Sequence, residues 1–374
     1  MTTTFRHTFE PSANAPKGTL PDLPLSPQEI ENAGLLEVLQ TPGVAMGTWS
    51  ILDALLDQGN SEFVFKEELG RAREVKVAVS GLFGRFVARA YSTKYLRFTH
   101  FSHIGKPPMT LAAPFNAIVD RVPGKRGDMP DWVAWSPTAG HAIIEAKGTH
   151  DAPGPGAALA RAYGQAERAQ LLANGQKLPL KRYAIATRWG FATGPFHEPM
   201  LAVRDPDDPG ENVPQEARDA AALGVVRRHL AGLMGPLGLP ELAAALQRLT
   251  VDDAEEVVSE ALGILAETTP RSIVGPAADD RQLIGGFVAK GGPLSRNVLI
   301  DRGRQDQLIK LDLRPTFVGV EYAAMLAAIH GDLDKVKALA GSDTTDTVEL
   351  ADAAQRDRSA TWVVRLEADG NRIG

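Results

Sequence analysis

The chain has 374 residues, 44% of them hydrophobic, no cysteine and a formal net charge of −6. Thiol catalysis and cysteine-ligated zinc are therefore excluded, and the absence of cysteine fits a reducing, cytoplasmic setting. The length allows two or three cores, no apolar run approaches the roughly eighteen residues a membrane helix needs, and the opening Met1 to Arg6 carries no charged-then-apolar export signal.

Residues 1–25, with Pro11, Pro16, Pro21 and Pro24 and few large apolar groups, are expected to form a disordered tail. Order is expected from Ser26, where a capping serine, Pro27 and Glu29 open a helix to about Gln40. A second helix is expected from Met46 to Gln58, so that 26–60 form an N-terminal helical extension. A third stretch, 64–95, reads as helix with the apolar stripe Phe65, Leu69, Ala72, Val75 and Val79. Strands follow at Phe115 to Arg121, Asp131 to Trp135 and His141 to Lys147, the last two separated by the turn formers Ser136-Pro137-Thr138-Ala139-Gly140. A helix from Gly156 to about Asn174 and a strand from Lys181 to Arg188 complete a unit spanning 61–204. The breaker-rich, acidic Asp205-Pro206-Asp207-Asp208-Pro209-Gly210 marks a boundary. Helices at 214–234, 240–249 and 251–267, the last capped by Thr250, form a helical domain over 205–270. A small α+β domain over 271–374 has strands near 282–289, 297–300, 307–312 and 361–366 and a helix near 320–339. The fold class is mixed α/β.

The hairpin carries the chemistry. Antiparallel pairing sets the start of its first strand beside the end of its second, so Asp131 lies across from Glu145 and Lys147. Alternation puts Glu145 and Lys147 on one face. Two carboxylates and the Ala146 carbonyl offer the hard oxygen ligands that Mg²⁺ or Mn²⁺ prefers, and a lysine beside them suits orientation of water and neutralisation of a phosphate. A solvated hairpin would spread such charges. Here Ile143-Ile144 lead straight into Glu145, as in a buried strand that delivers a charged triplet at its end.

Pro130-Asp131 followed by Glu145-Ala146-Lys147 resembles the PD-(D/E)xK nuclease superfamily, the restriction endonuclease-like fold, and the order helix, three strands, helix, strand resembles its αβββαβ core. That resemblance implies a Mg²⁺-dependent endonuclease acting on DNA, with RNA not excluded. Asp131, Glu145 and the Ala146 carbonyl would hold the metal and Lys147 would assist hydrolysis, with Gln165 or Arg161 on the following helix positioning the phosphate. An acid on the first helix is implied as well, Glu68 being the best candidate, with Glu67 and Glu74 competing. The family's habits suggest a bacterial restriction or anti-phage defence system. The alternative is a catalytically inactive nuclease-fold subunit that binds nucleic acid or protein.

Charge is distributed accordingly. Residues 1–60, 61–200 and 201–374 carry −5, +8 and −9, so positive charge collects around the hairpin, where phosphates would need it. Arg71, Arg85 and Arg89 on the third helical stretch, with Tyr91, Tyr95, Phe98 and Phe101 after them, suggest a groove that tracks a backbone and stacks bases, or else merely a solvated basic face. Lys125, Arg126, Arg161, Lys181 and Arg182 extend the same patch. The acidic C-terminal half suits a homodimer contact or a regulatory protein partner. Other motifs fail. Gly154-Pro155-Gly156 lacks the amide and the distant acid of a dinucleotide loop, and His100 and His103, placed on a helical turn, have no third ligand nearby.

Overall fold

The computed structural model of the chain describes residues 3–10, 18–41, 61–65, 73–150, 153–191, 198–274, 282–289, 292–293, 316–341, 354–357, 359–365 and 372–373. The fold is mixed α/β. The central sheet runs in the order β2 (Gly18–Leu25), β1 (Thr3–Glu10), β13 (Met200–Arg204), β11 (Leu180–Arg188), β8 (Gly140–Thr149), β7 (Trp132–Ser136), β4 (His100–His103), with the short β14 (Asp207–Asp208) also beside β11. A second sheet runs β10 (Gln176–Lys177), β9 (Ala169–Ala173), β6 (Ala117–Arg121), β5 (Met109–Ala112). A two-residue ribbon joins β3 (Val64–Phe65) to β12 (Gly190–Phe191).

Strand β8 is the axis of the molecule. It pairs antiparallel with β7 on one side and parallel with β11 on the other. Its residues His141 to Ala146 are buried without a break, as expected for a strand covered on both faces. The parallel partner requires a crossover, supplied by helix α3 (Gly156–Ala166). Ala158, Leu159 and Ala162 of α3 lie against Ala184, Ala186 and Ala202, small residues that let the helix seat closely. The other face carries helix α2 (Arg73–Lys94), and this approach is closer still. A Cβ on Gly84 would stand 2.5 Å from the Gly148 nitrogen, and one on Gly148 would stand 1.6 Å from the Ser80 carbonyl oxygen. Helix α1 (Pro27–Gln40) packs on α2, with Gly34 lying against the Phe86 ring. Its start follows the sequence: Glu29 N–H donates to Ser26 Oγ at 3.1 Å, and Ser26 N–H donates to Glu29 Oε2 at 2.7 Å.

Helix α4 (Gln215–Met234) lies across β4, β5 and β7, followed by α5 (Pro240–Arg248) and α6 (Glu255–Glu267). A third sheet has the order β19 (Ala354–Arg356), β20 (Thr361–Arg365), β18 (Thr316–Glu321), β16 (Gln282–Ala289), β15 (Arg271–Val274), β21 (Arg372–Ile373), with β17 (Gly292–Pro293) beside β16. Helices α7 (Tyr322–His330) and α8 (Leu333–Gly341) accompany it. Among the described residues no helix is long and apolar enough to cross a membrane.

Several expectations are corrected. The described part of 1–25 is ordered: β1 pairs parallel with β13 and buries Phe5, and β2 is an edge strand whose Pro21 and Pro24 can go without ladder hydrogen bonds. Within 64–95, residues 64–65 are a strand and the described helix begins at Arg73. The strand that flanks the hairpin is β4, whereas 117–121 belongs to the second sheet; His100 and His103 therefore sit on a strand, not a helical turn. The helix after the triplet ends at Ala166, because Ala169–Ala173 pairs with β6. The stretch 320–339 breaks at Gly331, which takes φ of +75°. Thr250 caps nothing: α6 starts at Glu255, and the Thr250 hydroxyl donates to Gln247 O. The expected helix at 46–58 and the strands at 297–300 and 307–312 lie outside the described residues.

Candidate functional site

The β7–β8 hairpin closes through a three-residue loop in which Ala139 N–H donates to Ser136 Oγ at 3.0 Å and Gly140 adopts φ of +69°. That turn sets the register Trp132 opposite Ile144. One step further along the same ladder, Asp131 meets Glu145. The two acids hold each other's strand: Asp131 N–H donates to Glu145 Oε2 at 2.9 Å, and Ala146 N–H donates to Asp131 Oδ2 at 2.9 Å. Each carboxylate thus spends one oxygen on a backbone amide and turns the other toward a cation. Glu145 Oε1 ion-pairs with Lys147 Nζ, and Asp131 Oδ1 lies 3.5 Å from Arg85 Nε.

Burial decides the electrostatics. The Glu145 side chain is fully buried and that of Asp131 is 14% exposed, while Lys147 stays 35% exposed. Desolvation, reinforced by the Asp131 charge, pushes Glu145 up to about 8 against the partial relief of Lys147. Asp131 is also raised, by burial first, with Arg85 and the Ala146 amide pulling the other way. Two acids in so little water are costly as anions, and added positive charge would lower both.

Behind the pair stands a residue that the sequence reading did not single out. Glu37 of α1 is 2% exposed and accepts from Trp132 Nε1 at 3.0 Å, Thr41 Oγ1 at 2.9 Å and Arg89 Nη1 at 3.1 Å, and it ion-pairs with Arg85. Burial alone would raise its pKa, yet the guanidinium groups of Arg85 and Arg89 outweigh it and hold the carboxyl below 4.5. Arg85 is therefore shared between Glu37 and Asp131. One cue to this residue was present in the chain: an acid inside the apolar run Leu35-Leu36-Glu37-Val38-Leu39.

The remaining expected residues divide sharply. Gln165 Nε2 donates to Met129 O at 2.7 Å, so it braces the segment that delivers Pro130 and Asp131. Ala146 contributes its amide to Asp131. Glu68 and Arg71 lie outside the described residues. Arg89 is 2% exposed, committed to Glu37 and stacked 4.9 Å over Phe101, and is therefore withdrawn from any nucleic-acid surface. Arg85 is likewise an interior ion-pair partner. Lys181 pairs with Asp205, and Arg182 is engaged by Asp208 and the carbonyls of Ala166 and Ala169. Both lie on β11 opposite Ala142 and Ile143, before the position of Ala184 that pairs with Glu145. Tyr91, Phe98 and Phe101 are core residues and no stacking platform. Lys125, Arg126 and Arg161 are exposed, with Lys125 only loosely paired to Glu167 at 3.7 Å.

Among the described residues no three His, Cys, Asp or Glu side chains gather as a metal-binding group. Asp131 and Glu145 are the two carboxylates brought together here that could hold a metal. Comparison with protein-family models, curated proteins and solved structures yields no match.

Proposed function

We propose that this chain is a divalent-metal-dependent nuclease that cuts phosphodiester bonds in DNA as an endonuclease, in the manner of the PD-(D/E)xK superfamily. The observation that carries this is the meeting of Asp131 and Glu145 through reciprocal amide bonds, with Lys147 on the same carboxylate. Once the second-sheet strands β5, β6, β9 and β10 are set aside, the order α2, β4, β7, β8, α3, β11 is compatible with the helix, three strands, helix, strand of that core.

Mg²⁺ or Mn²⁺ fits the residues present. Asp131 Oδ1 and Glu145 Oε1 are hard oxygens engaged by no backbone amide, and their desolvation favours a compensating cation. Bound there, the ion would supply positive charge for the scissile phosphate and a water of lowered pKa. The chain's own residues do the rest. Lys147, 35% exposed and paired with Glu145, is the group that would orient an attacking water. Lys147 adds positive charge beside the acids, Gln165 keeps the Asp131 backbone in place, and Lys125, Arg126 and Arg161 neutralise flanking phosphates. A bacterial defence or restriction role, and a homodimer or regulatory partner on the acidic C-terminal half, belong to the same proposal. RNA enters as the variant substrate.

A second reading, a nuclease-fold subunit that binds without cutting, is favoured by one observation: Arg85 already sits against Asp131. The deciding experiment incubates the purified chain with supercoiled plasmid, linear DNA and RNA in Mg²⁺ and in Mn²⁺, beside Asp131→Ala and Lys147→Ala. Cleavage by the wild type alone is expected. Equal cleavage by all three proteins removes the assigned roles. If the wild type does not cut and takes up no Mn²⁺ in calorimetry, the binding-module reading stands instead.

A further inference from the structure

At the open edge of the central sheet, beside β4, lies a cavity of about 670 Å³. Its walls come from the end of α1, β4, the loop into β5, and helices α4 and α5. The volume lies in the range of small-molecule sites, roughly 300–1,000 Å³. His103 forms part of the wall and its Nδ1 lies 2.7 Å from the Asp131 carbonyl oxygen, whereas Glu145 is two strands inward, roughly 10 Å at about 4.8 Å per strand. The cavity thus neighbours the candidate metal ligands without being part of their site.

Its lining carries charge of one sign. Arg228, Lys106 and His103 line it, and among the described residues no Asp or Glu does, in a chain where acids outnumber Lys and Arg by 46 to 40. Arg228 is the informative one. Its Nε donates to Thr110 O at 2.6 Å, and no carboxylate pairs with its guanidinium among the described residues. Burial lowers its pKa with no anion to counter the effect, whereas the enclosed guanidinium groups of Arg85, Arg89 and Arg182 each face a carboxylate. A desolvated cation left in this way is costly until an anion joins it, and the guanidinium fork matches the oxygens of a phosphate. Two neutral donors add to it. Ser102 is 5% exposed and lines the cavity, and its hydroxyl keeps some accessible surface with no hydrogen-bond partner among the described residues. Ile104 N–H donates to Asp131 O toward β7 and Phe101 N–H donates to His229 Nδ1 toward α4, so alternation along β4 turns the His103 amide to the α4 side as well. Val251, 58% exposed, and Pro108 supply exposed apolar surface beside these donors.

We propose that this cavity binds a phosphate group on Arg228, Lys106 and the Ser102 hydroxyl, carried either by a free small molecule or by the end of a nucleic-acid strand. A phosphate suits this lining better than a carboxylate does, because its second charge and third oxygen can engage more than one of the cationic side chains. Through His103, an occupant would bear on the segment that presents Asp131. The inference is independent of the nuclease reading.

The test is calorimetry of the full chain in EDTA with inorganic phosphate and, separately, with a short oligodeoxynucleotide bearing a 5′-phosphate and its unphosphorylated twin. The proteins are the wild type, Arg228→Ala, Lys106→Ala, Val251→Glu and, as a lysine outside the cavity, Lys125→Ala. Inorganic phosphate is expected to bind the wild type and Lys125→Ala alike, and about tenfold or more weakly to the other three. Arg228→Ala also loses the bond to Thr110, so Lys106→Ala and Val251→Glu, both changes of exposed side chains, keep the test decisive if it does not fold. Tighter binding of the phosphorylated oligonucleotide than of either phosphate or the unphosphorylated twin supports a strand end as the source, and equal affinity for it and for free phosphate supports a small molecule. Absence of binding of phosphate and of the phosphorylated strand at millimolar concentration, or undiminished binding by Lys106→Ala and Val251→Glu, overturns the proposal. An equal loss in Lys125→Ala overturns the location. With the metal chelated, none of these results depends on whether DNA is cut.

Discussion

Replacing Glu37 by alanine tests the buried network behind the acids. The substitution removes a carboxylate that accepts from Trp132, Thr41 and Arg89 and pairs with Arg85. Arg89 is 2% exposed and would be left as a buried cation without its ion-pair partner, beside the Phe101 ring 4.9 Å away. Breaking a buried pair in this way costs about 3–5 kcal/mol, and the stranded Trp132 donor adds about 1–3 kcal/mol. Against a total stability of about 5–15 kcal/mol, the variant is expected to be severely weakened. Glu37→Gln keeps an acceptor for Trp132 but still leaves Arg89 without its counter-charge, so the cost of the broken pair, about 3–5 kcal/mol, remains and the Trp132 contribution is spared. The assay is urea unfolding, with the midpoint lowered and the slope unchanged. A pH series adds a signature. Because the folded pKa of Glu37 is lowered, its contribution is fully present above the ordinary value of 4.5 and is lost as pH falls through the folded value. The gap between wild type and Glu37→Ala must therefore narrow in acid. A loss for Glu37→Ala below about 1 kcal/mol at neutral pH would refute the account of a network that depends on this carboxylate.

Gly148→Ala is expected to cost at least about 1–3 kcal/mol, because its Cβ would meet the Ser80 carbonyl and force α2, with Arg85, away from the sheet; a variant with unchanged melting temperature contradicts that contact. His141 is held neutral by burial, down to about 4 from 6.5. With a lowered folded pKa, the unfolded chain binds the extra proton first, so stability is lost as pH falls below 6.5. Relative to His141→Phe, the wild type should lose about 1.6 kcal/mol between pH 6.5 and pH 5, a comparison that cancels the opposite trend from Glu145; a constant difference sinks the prediction. Gln165→Ala should leave the fold intact, at a cost of about 1 kcal/mol, while weakening Mn²⁺ uptake through a looser Asp131; unchanged uptake would show that the brace on Met129 is dispensable.

The site was legible where the chain itself sets the geometry. Turn formers between two alternating segments determine the register of a hairpin, and register alone brings Asp131 opposite Glu145. The capping box at Ser26 and the crossover from β8 to β11 are equally local. Only the tertiary structure could decide the rest, because those choices are made by partners distant in sequence. Phe5 and its prolines look like a tail until β13, nearly two hundred residues later, offers an edge. Residues 117–121 form a strand either way, but their sheet is chosen by β9, which also ends the helix before it. Arg85 and Arg89 look like nucleic-acid contacts because sequence shows charge without burial. The buried carboxylate of Glu37, contributed by another helix, turns them inward, since a guanidinium without water must find its counter-charge within the protein.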